Sequence, residues 1–454
     1  MNDYQRIIDY NFSDIVLDDK LVVKFKVKKT FNESQFISLF SSKRGERFII
    51  RTPDTKYAII GIGYESTWLL DSNDFLTSFD NSSVLSGFEE LKTQVTFLDI
   101  DEHDEEYFGI YGGVSDGKNK SSQEWVDFSD TTFVIPGILA VFKEEEVYFT
   151  LFFNMKEEKD FTSLWHERIQ FLEELENYKE KLNEPHISVV RDIYPELWQE
   201  DIRSALLQIE KDELKRIVLS RKNLVLLENN TSLAALTRYL FIKNRYFIAF
   251  ESKKSLFLST NPLISLDYQE ENLNAYLYLK QENLFDDDFS IMCDEEEIIN
   301  EYKDNFEKHY DTSFKVSEDT VLMGKKLDLY SVLQSKIENK EQAIKALSLL
   351  YPIPLIKGYP EDVAHDFFED KNDIGYGFWY SPFGYINNDL NAKFYTCGNM
   401  MISQNNMITL FTSILLSKGQ TYNKVVERSN EIVKSFFTKS ATRAARCIEN
   451  ISPA

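Results

Sequence analysis

Residues 214–227 read LKRIVLSRKNLVLL, a run of β-branched and aliphatic residues that predicts a strand directly after a charged segment. Four more stretches follow it along the chain. They are FLSTNPL at 257–263, DEEEI at 294–298, LYPIPLIKGYP at 350–360 and GYGFWYSPFGYI at 375–386. Proline and glycine punctuate three of these four stretches, which predicts tight turns between short elements.

Outward from that strand, short strands and amphipathic helices extend in both directions. Residues 22–153 read mostly as strands, in runs such as KYAIIGIGY and EVYFTLFF. The segments YFIAFES and SLFLST predict a hairpin, and KFYTCGNMMI and MITLFTSILL each predict a strand. Hairpins mixed with helices predict an α+β fold of stacked sheets rather than a βαβ nucleotide fold. Apolar residues at helical spacing predict helices over residues 160–182, 195–211, 233–241, 298–309, 340–350 and 423–437.

The charged helix predicted over residues 160–182 is the best candidate for a link between two halves of the chain. Asn-Glu-Pro at 183–185 ends it, because proline cannot continue a helix. We therefore divide the chain into a β-rich amino-terminal part, residues 1–185, and a carboxyl-terminal part, residues 186–454. The two parts are separate in sequence but are free to share one core.

The composition describes a packed and acidic protein. Of 454 residues, 51 are Lys or Arg and 75 are Asp or Glu, so the net charge is −24, and 43% of the residues are hydrophobic. A chain this rich in apolar residues has ample material for a core, which excludes wholesale disorder. Proteins that bind nucleic acid gather basic residues, so the charge balance argues against such a partner.

Cysteine usage and the amino-terminal sequence predict a cytoplasmic protein. The three cysteines, Cys293, Cys397 and Cys447, are far apart and odd in number, which argues against a disulfide framework and fits a reducing compartment. The opening MNDYQRIIDYNF lacks the basic start and apolar run of a secretory signal. No uninterrupted apolar run reaches about 18 residues, so we expect no membrane span.

Common catalytic motifs are absent from the sequence. None of the five histidines forms HExxH or another close metal pair. The phosphate loop GxxxxGK[ST], the GxGxxG fingerprint and the GxSxG nucleophile elbow do not occur either. The sequence gives no support for a histidine zinc site, a phosphate loop or a serine nucleophile.

The order and spacing of the quoted stretches resemble the chorismate-utilising enzymes, and most closely the isochorismate synthases of menaquinone biosynthesis. The resemblance covers residues 211–439, and the segments WLLDSNDF at 68–75 and EWVDFSDTTFVIPGILAVF at 124–142 extend it into the first half. It implies one large α+β domain of stacked antiparallel sheets with outer helices. It also implies conversion of chorismate to isochorismate with bound Mg²⁺.

The family chemistry that the resemblance implies needs four parts. Mg²⁺ on glutamate ligands holds one carboxylate of chorismate, and an arginine with backbone amides holds the other. A basic residue activates water at one ring carbon. A carboxylic acid protonates the hydroxyl that leaves from the other side.

Both positions that the resemblance assigns to proton transfer carry other residues in this chain. The lysine base that opens the family strand is replaced by Arg216, and guanidinium stays protonated near neutral pH. Lys215 is adjacent, but one step along a strand turns a side chain to the opposite face. The glutamic acid that follows proline in the family is replaced by Leu263, which has no proton to give.

Four substrate-binding positions of the family are also substituted. Tyr278 lies in the segment YLYL that replaces a small glycine turn, and Tyr351 stands where the family has histidine. Asn399 stands where the family has the carboxylate-binding arginine. Ser413 belongs to the segment FTSI that replaces a second small turn.

The metal site that the resemblance implies is only partly present. Glu297 matches one glutamate ligand, although a solvated acidic helix face explains it equally well. The register for the second ligand gives NKVV at 423–426, and Glu427 follows one residue later. One glutamate with water would bind Mg²⁺ weakly, because this ion holds its hydration shell tightly.

Three hypotheses follow for function. The first is an isochorismate synthase of the menaquinone branch. The second is a pseudoenzyme that binds a ligand or a protein partner on the same scaffold. The third is different chemistry on a relative of chorismate. Because the base and the acid are both replaced, we predict very low or no isochorismate synthase activity.

Overall fold

A computed structural model describes much of the chain, and strands dominate it. The described residues are 4–10, 12, 19–54, 57–70, 83–102, 107–115, 123–155, 161–179, 186–230, 232–242, 245–283, 295–323, 326–351, 358–369 and 377–435. The strands are β1 (Lys20–Lys28), β2 (Arg47–Arg51), β3 (Ala58–Leu70), β4 (Val95–Asp99), β5 (Gly109–Val114), β6 (Thr131–Phe142), β7 (Glu146–Asn154), β8 (Ile187–Asp192), β9 (Arg216–Leu227), β10 (Phe247–Ser252), β11 (Ser255–Thr260), β12 (Leu263–Gln269), β13 (Asn272–Asn283), β14 (Lys315–Met323), β15 (Lys326–Lys336), β16 (Pro382–Asn387), β17 (Ala392–Thr396), β18 (Met400–Gln404) and β19 (Met407–Ser417).

The helices lie outside these strands. They are α1 (Gln5–Ile8), α2 (Glu33–Leu39), α3 (Ser83–Lys92), α4 (Phe161–Ile169), α5 (Phe171–Asn177), α6 (Pro195–Glu210), α7 (Leu233–Ile242), α8 (Glu295–Tyr310), α9 (Lys340–Leu350), α10 (Glu361–Glu369) and α11 (Tyr422–Ser435). Helix α9 packs on β12 and β13, α8 packs on α9, and α6 and α11 pack on the β9–β19 region. Within the described ranges, none of these helices is long and apolar enough to cross a membrane.

Hydrogen-bonded ladders link all of the listed strands into one network, and the pairing is antiparallel throughout except between β1 and β4. The predicted combination of antiparallel sheets and outer helices is therefore confirmed. The predicted hairpin of YFIAFES and SLFLST is also confirmed, because β10 pairs with β11 from Phe247–Thr260 to Ser252–Ser255. The helix predicted over 195–211 forms as α6, with proline in its first turn.

Two predicted elements are interrupted in the structure. The helix predicted over 160–182 forms as α4 and α5, which meet at Gln170, and its end lies outside the described residues. The strand predicted for KFYTCGNMMI forms as β17 and β18, with Cys397, Gly398 and Asn399 between them. Residues 352–357 and 71–75 of the stretches quoted above also lie outside the described residues.

The two halves of the sequence share one aromatic core. Phe48 and Tyr111 from the first half pack in the same cluster as Phe250, Phe257 and Phe383 from the second. The Phe48 and Phe250 rings are stacked with their centres 6.5 Å apart. Burying one phenyl side chain contributes about 2–3 kcal/mol, so this shared layer holds the halves together.

A buried ion pair also joins the halves. Strand β2 pairs with β10 across the boundary at residue 185, and Arg47 donates to both carboxylate oxygens of Glu251 at 2.7 Å. The side chains of this pair are 3% and 4% exposed. The backbone N–H of Gly45 donates to the same carboxylate at 3.0 Å. Gly45 has φ +92°, and a Cβ there would lie 2.3 Å from the Lys253 carbonyl, so only glycine fits.

Candidate functional site

Strands β9 and β19 carry two of the positions that the family resemblance assigns to chemistry, Arg216 and Ser413. They pair antiparallel, with Arg216 opposite Ser417, Val218 opposite Leu415 and Ser220 opposite Ser413. Residues directly opposite each other share a face, and alternate residues along a strand share that face as well. We call the face that carries these six side chains the site face.

The opposite face of the same two strands is structural. Its residues Ile217, Leu219, Ile414 and Leu416 are buried against α6, α10 and α11. Side chains alternate between the two faces of a strand, so the residues that pack against the helices are distinct from those of the site face.

Arg221 fixes the helices to that opposite face. Its guanidinium donates to the two carboxylate oxygens of Asp192 at 2.9 and 2.7 Å. It also donates to Ser429 Oγ at 3.1 Å and to Asn430 Oδ1 at 2.7 Å on α11. The guanidinium carbon lies 4.6 Å from the centre of the Trp198 ring. One arginine thus ties together β8, β9, α6 and α11.

The position that the resemblance assigns to the acid is packed with apolar atoms. Leu263 begins β12 and is 6% exposed, and Tyr278 on β13 is 1% exposed. The two side chains form one buried cluster, and Leu415 of the site face packs against it. The rings of Tyr278 and Tyr330 lie 5.3 Å apart. The structure therefore brings Leu263, Tyr278 and the site face together.

Arg216 is buried at the start of β9, at 2% exposure. Its backbone exchanges hydrogen bonds with Tyr359, with N–O distances of 3.0 and 3.3 Å. Tyr302 on α8 lies within electrostatic reach of its guanidinium. Burial, with added effects of Glu361 and Glu301, raises the pKa of Tyr302 far above its usual range, while Arg216 acts in the opposite direction. Tyr302 is therefore a neutral phenol at physiological pH.

Two hydroxyl contacts place Tyr351 and Ser413 beside one aromatic turn. The Tyr380 and Ser413 hydroxyl oxygens lie 2.5 Å apart. The Tyr351 and Ser381 hydroxyl oxygens lie 3.0 Å apart, and Ser381 also donates to the Gly377 carbonyl at 3.0 Å. Sequence analysis did not identify Tyr380. The available signal in the sequence was the place of Tyr380 in a turn-rich aromatic segment. In the structure, the backbone of Tyr380 has φ 57°.

Asn399 lies in the break between β17 and β18. Its carbonyl accepts a hydrogen bond from the Thr260 N–H at 2.9 Å, whereas its side-chain Oδ1 is buried and has no hydrogen-bond partner. An amide carries no charge, so Asn399 cannot supply the positive charge that the family resemblance implies for this position.

In the described part of the chain, no metal site is evident at the two glutamates to which the family resemblance assigns Mg²⁺. Glu297 on α8 and Glu427 on α11 are both exposed. Helix α8 packs on α9, whereas α11 packs on β19 and α6. Across the described ranges, no three His, Cys, Asp or Glu side chains are grouped closely enough to hold a metal ion. Glu297 and Glu427 therefore stay a prediction as metal ligands.

A second charged cluster, which sequence analysis did not identify, lies between β12, β17 and the segment after β2. Lys393 Nζ lies 2.9 Å from Asp54 and 3.4 Å from Asp267, and Tyr395 donates to Asp54 at 3.1 Å. Burial raises the pKa of the Asp267 carboxyl, although Lys393 opposes this shift. The pKa of Lys393 is raised by Asp54 and Asp267, which together outweigh the lowering effect of burial.

Of the three cysteines, Cys397 lies in the described residues, where it is free and buried. Burial raises the pKa of its thiol to about 12. A thiol with this pKa is protonated and unreactive near neutral pH. Cys293 and Cys447 lie outside the described residues.

Comparison with known proteins defines the class to which this fold and site belong. Residues 17–275, more than half of the chain, match the family described as "Chorismate binding enzyme". The chain therefore belongs to the chorismate-binding enzyme family, as the sequence predicted. Membership implies a small chorismate-like ligand, and the family typically uses Mg²⁺.

Two isochorismate synthases are similar to this chain over most of its length. The chain is 19% identical over 385 residues to the isochorismate synthase MenF of Bacillus subtilis (strain 168), which covers 77% of this chain and 78% of MenF. It superimposes with a TM-score of 0.68 and 13% identity on MenF, the menaquinone-specific isochorismate synthase from Escherichia coli, over 94% of this chain and 96% of that chain.

A further relative extends the likeness beyond the isochorismate synthases. Anthranilate synthase component I from Streptococcus pneumoniae TIGR4 superimposes with a TM-score of 0.59 and 14% identity, over 96% of this chain and 97% of that chain. At these identities the solved structures establish the fold, and the predicted α+β fold of the chorismate-utilising enzymes is confirmed.

Proposed function

We propose that this chain binds chorismate or a related small molecule at the site face and converts chorismate to isochorismate very slowly or not at all. The observation that carries the proposal is the buried contact of Leu263 with Tyr278 beside Leu415. An acid at that position would have to reach the leaving hydroxyl. Apolar side chains occupy the space instead.

The lost acid has a large expected cost. Leu263 has no ionisable group, and Tyr278 is a phenol whose ordinary pKa near 10 makes it a weak proton donor at neutral pH. General acid catalysis contributes typically 10²–10⁴-fold. Loss of this step alone would lower the rate of isochorismate formation by about that factor.

The base position has a similar defect. Arg216 keeps its proton near neutral pH, so it cannot take one from water. The neighbouring Tyr302 is no substitute, because its raised pKa keeps it protonated. If both proton transfers are lost, the two factors multiply to ~4 or more orders of magnitude.

A second candidate is an active isochorismate synthase of the menaquinone branch. The observation that favours it is the near full-length likeness to MenF of Escherichia coli, over 94% of the chain. This candidate requires other side chains to supply the acid and the base. Tyr276 and Glu282 on β13 are nearby in sequence to the apolar cluster.

The test is a coupled assay of isochorismate formation from chorismate, with excess Mg²⁺ and an isochorismate-consuming enzyme, at high concentrations of the full chain. MenF of Bacillus subtilis serves as the positive control in the same buffer. We expect no turnover above the rate without protein. Turnover near 1 s⁻¹, which is in the ordinary enzyme range, would overturn the proposal in favour of the active synthase.

A further inference from the structure

We infer that a small pocket between the two halves of the chain binds a phosphoryl group, with Arg44 and Lys254 at its rim and Ser403 inside it. The pocket has a volume of about 10 Å³, which is room for one water molecule or one oxygen atom of a larger ligand. The inference is independent of the proposed function, because this pocket is separate from the site face.

The floor of the pocket is a row of three side chains across three strands. Glu251 on β10 is directly opposite Leu256 on β11, and Leu256 is directly opposite Ser403 on β18. Ser403 is also opposite Ile408 on β19, which lies on the same face of that strand as Ile414. The pocket is therefore on the opposite side of the sheet from the site face.

Ser403 supplies a hydrogen-bond donor inside the pocket. It is 5% exposed, and its hydroxyl has no hydrogen-bond partner in the part of the chain that the structure describes. A buried hydroxyl without a partner is unfavourable. An acceptor oxygen of a ligand in the pocket would satisfy it.

The carboxylate in the floor is already neutralised. Both oxygens of Glu251 accept from Arg47 at 2.7 Å, and one of them also accepts from the Gly45 N–H at 3.0 Å. The charges of Arg47 and Glu251 cancel, so the carboxylate opposes an anion much less than a free one would.

The rim of the pocket carries two cations that are available to a ligand. Arg44 and Lys254 line the pocket and are exposed, and neither forms an ion pair with any described residue. Gly45 holds the segment of Arg44 against the β10–β11 turn, where a Cβ on Gly45 would lie 2.3 Å from the Lys253 carbonyl. In a chain with a net charge of −24, two free cations beside one pocket make a local site for an anion.

A phosphoryl group matches these features better than other small anions do. One of its oxygens enters the pocket and accepts from Ser403, while the oxygens outside accept from Arg44 and Lys254. Its two negative charges match the two cations, whereas a carboxylate has only one. A halide is a single atom, so it cannot contact Ser403 and both cations together. Inorganic phosphate and phosphate monoesters share this chemistry.

The experiment measures binding of inorganic phosphate, phenyl phosphate and chloride to the full chain by titration calorimetry. The pH is about 8, where both phosphates are mostly dianions, and the ionic strength is constant because exposed charges are screened by salt. We expect the preferred phosphate to bind with a Kd of about 1 mM or tighter and chloride at least about tenfold more weakly. Tighter binding of phenyl phosphate assigns the site to a phosphate ester, and tighter binding of inorganic phosphate assigns it to the free ion.

Variants of the three pocket residues test the geometry. Arg44→Gln and Lys254→Gln should each weaken phosphate binding about tenfold, because each removes a charge-assisted hydrogen bond. Ser403→Ala should weaken it several-fold. Lys253→Gln is the matched control, since it removes the same charge from the same turn at a residue that does not line the pocket, and it should change binding less than about twofold. Thermal unfolding without ligand checks the fold of each variant.

Three results would overturn the inference. They are absence of binding of both phosphates, tighter binding of chloride, and equal loss of affinity in Lys253→Gln and Lys254→Gln, which would indicate diffuse attraction rather than a site. Unchanged affinity in a folded Ser403→Ala protein would overturn the placement of an oxygen inside the pocket. The chorismate assay has no bearing on these results, so failure of one proposal leaves the other standing.

Discussion

Arg216 and Arg221 are five residues apart on β9. Because this number is odd, their side chains point to opposite faces of the strand. Arg221 is held by Asp192 and by two side chains of α11, and it packs on an indole ring. Arg216 lies on the site face, at the position to which the family resemblance assigns the base. The pair shows that one face of a strand can hold the fold together while the other face carries a position that the resemblance assigns to chemistry. Our proposal is that the fold is kept in this chain without the family reaction.

Arg221, on the structural face of β9, should cause the greatest loss of stability when it is replaced. We expect Arg221→Ala to lower the free energy of unfolding by about 3–5 kcal/mol, because it leaves the buried Asp192 carboxylate without its bidentate partner. Urea unfolding followed by circular dichroism measures the change. Arg221→Lys is the matched control and should recover part of the loss. A loss below about 1 kcal/mol for Arg221→Ala would contradict the role assigned to this face.

The apolar cluster beside the site face should give the next largest effect. We expect Leu263→Ala to lower the free energy of unfolding by about 2–4 kcal/mol, because it leaves a cavity against Tyr278. Leu263→Met keeps the volume and should cost less than about 1.5 kcal/mol. If Leu263→Ala proves neutral in the same urea titration, Leu263 borders an open cavity and the proposed function loses its main support.

Local pattern explains the parts of the fold that the sequence predicted correctly. Periodicity is enough to find β9 and α6, because their signals depend only on neighbouring residues. The signal in β9 is a run of aliphatic residues, and in α6 it is amphipathic spacing with an early proline. The family resemblance then placed Leu263, Tyr278 and the β9–β19 pair in one region. The structure brings these side chains together.

Features that depend on contacts between distant residues were not predictable. The break between β17 and β18 contains Asn399, whose backbone carbonyl accepts a hydrogen bond from the distant Thr260 N–H. Tyr380 reaches Ser413 from a left-handed backbone conformation that no spacing rule indicates. The charged cluster joins Asp54 and Lys393, which are 339 positions apart in the sequence. Pairing over such distances is set by the topology of the sheet rather than by local propensity.

A third prediction compares buried and exposed carboxyls through the pH dependence of stability. Burial raises the pKa of Asp267 in the folded state, so the folded protein binds more protons than the unfolded chain above pH ~4. Stability from this group therefore falls as pH rises through that window and is constant above the folded pKa. We expect Asp267→Asn to gain stability relative to the wild type between about pH 4 and pH 7, measured by urea unfolding at several pH values.

Asp212 provides the matched control with the opposite sign. It is exposed, and its pKa is lowered mainly by the hydrogen bond from Lys418 and also by Lys215. Its contribution to stability is present above the unfolded pKa and is lost as the pH falls through the lower folded value. Asp212→Asn should therefore show a constant deficit in stability relative to the wild type between about pH 4 and pH 7, and the deficit should shrink only as the pH falls below about 4. A gain in relative stability for Asp212→Asn like that of Asp267→Asn over pH 4–7 would contradict the assignment of Asp267 to a buried cluster.

The smallest effect is expected at the two glutamates that the family resemblance linked to Mg²⁺. Glu297 and Glu427 are exposed on helices that pack against different elements. We expect Glu297→Gln and Glu427→Gln each to change the free energy of unfolding by less than about 0.5 kcal/mol, as is usual for surface positions.

The same two variants also test whether any magnesium site remains. A metal ion that binds only the folded state raises the melting temperature, by an amount that grows with the logarithm of 1 + [metal]/Kd. We expect 10 mM Mg²⁺ to shift the melting temperature of the wild type and of both variants equally, because salt then acts only by general screening, and 10 mM Ca²⁺ serves as the control ion. A shift specific to Mg²⁺ in the wild type, lost in Glu297→Gln, would show that a metal site has survived on α8. The proposed separation of fold from reaction would then be incomplete, since a metal ligand would be present although Arg216 and Leu263 stand at the positions that the resemblance assigns to the base and the acid.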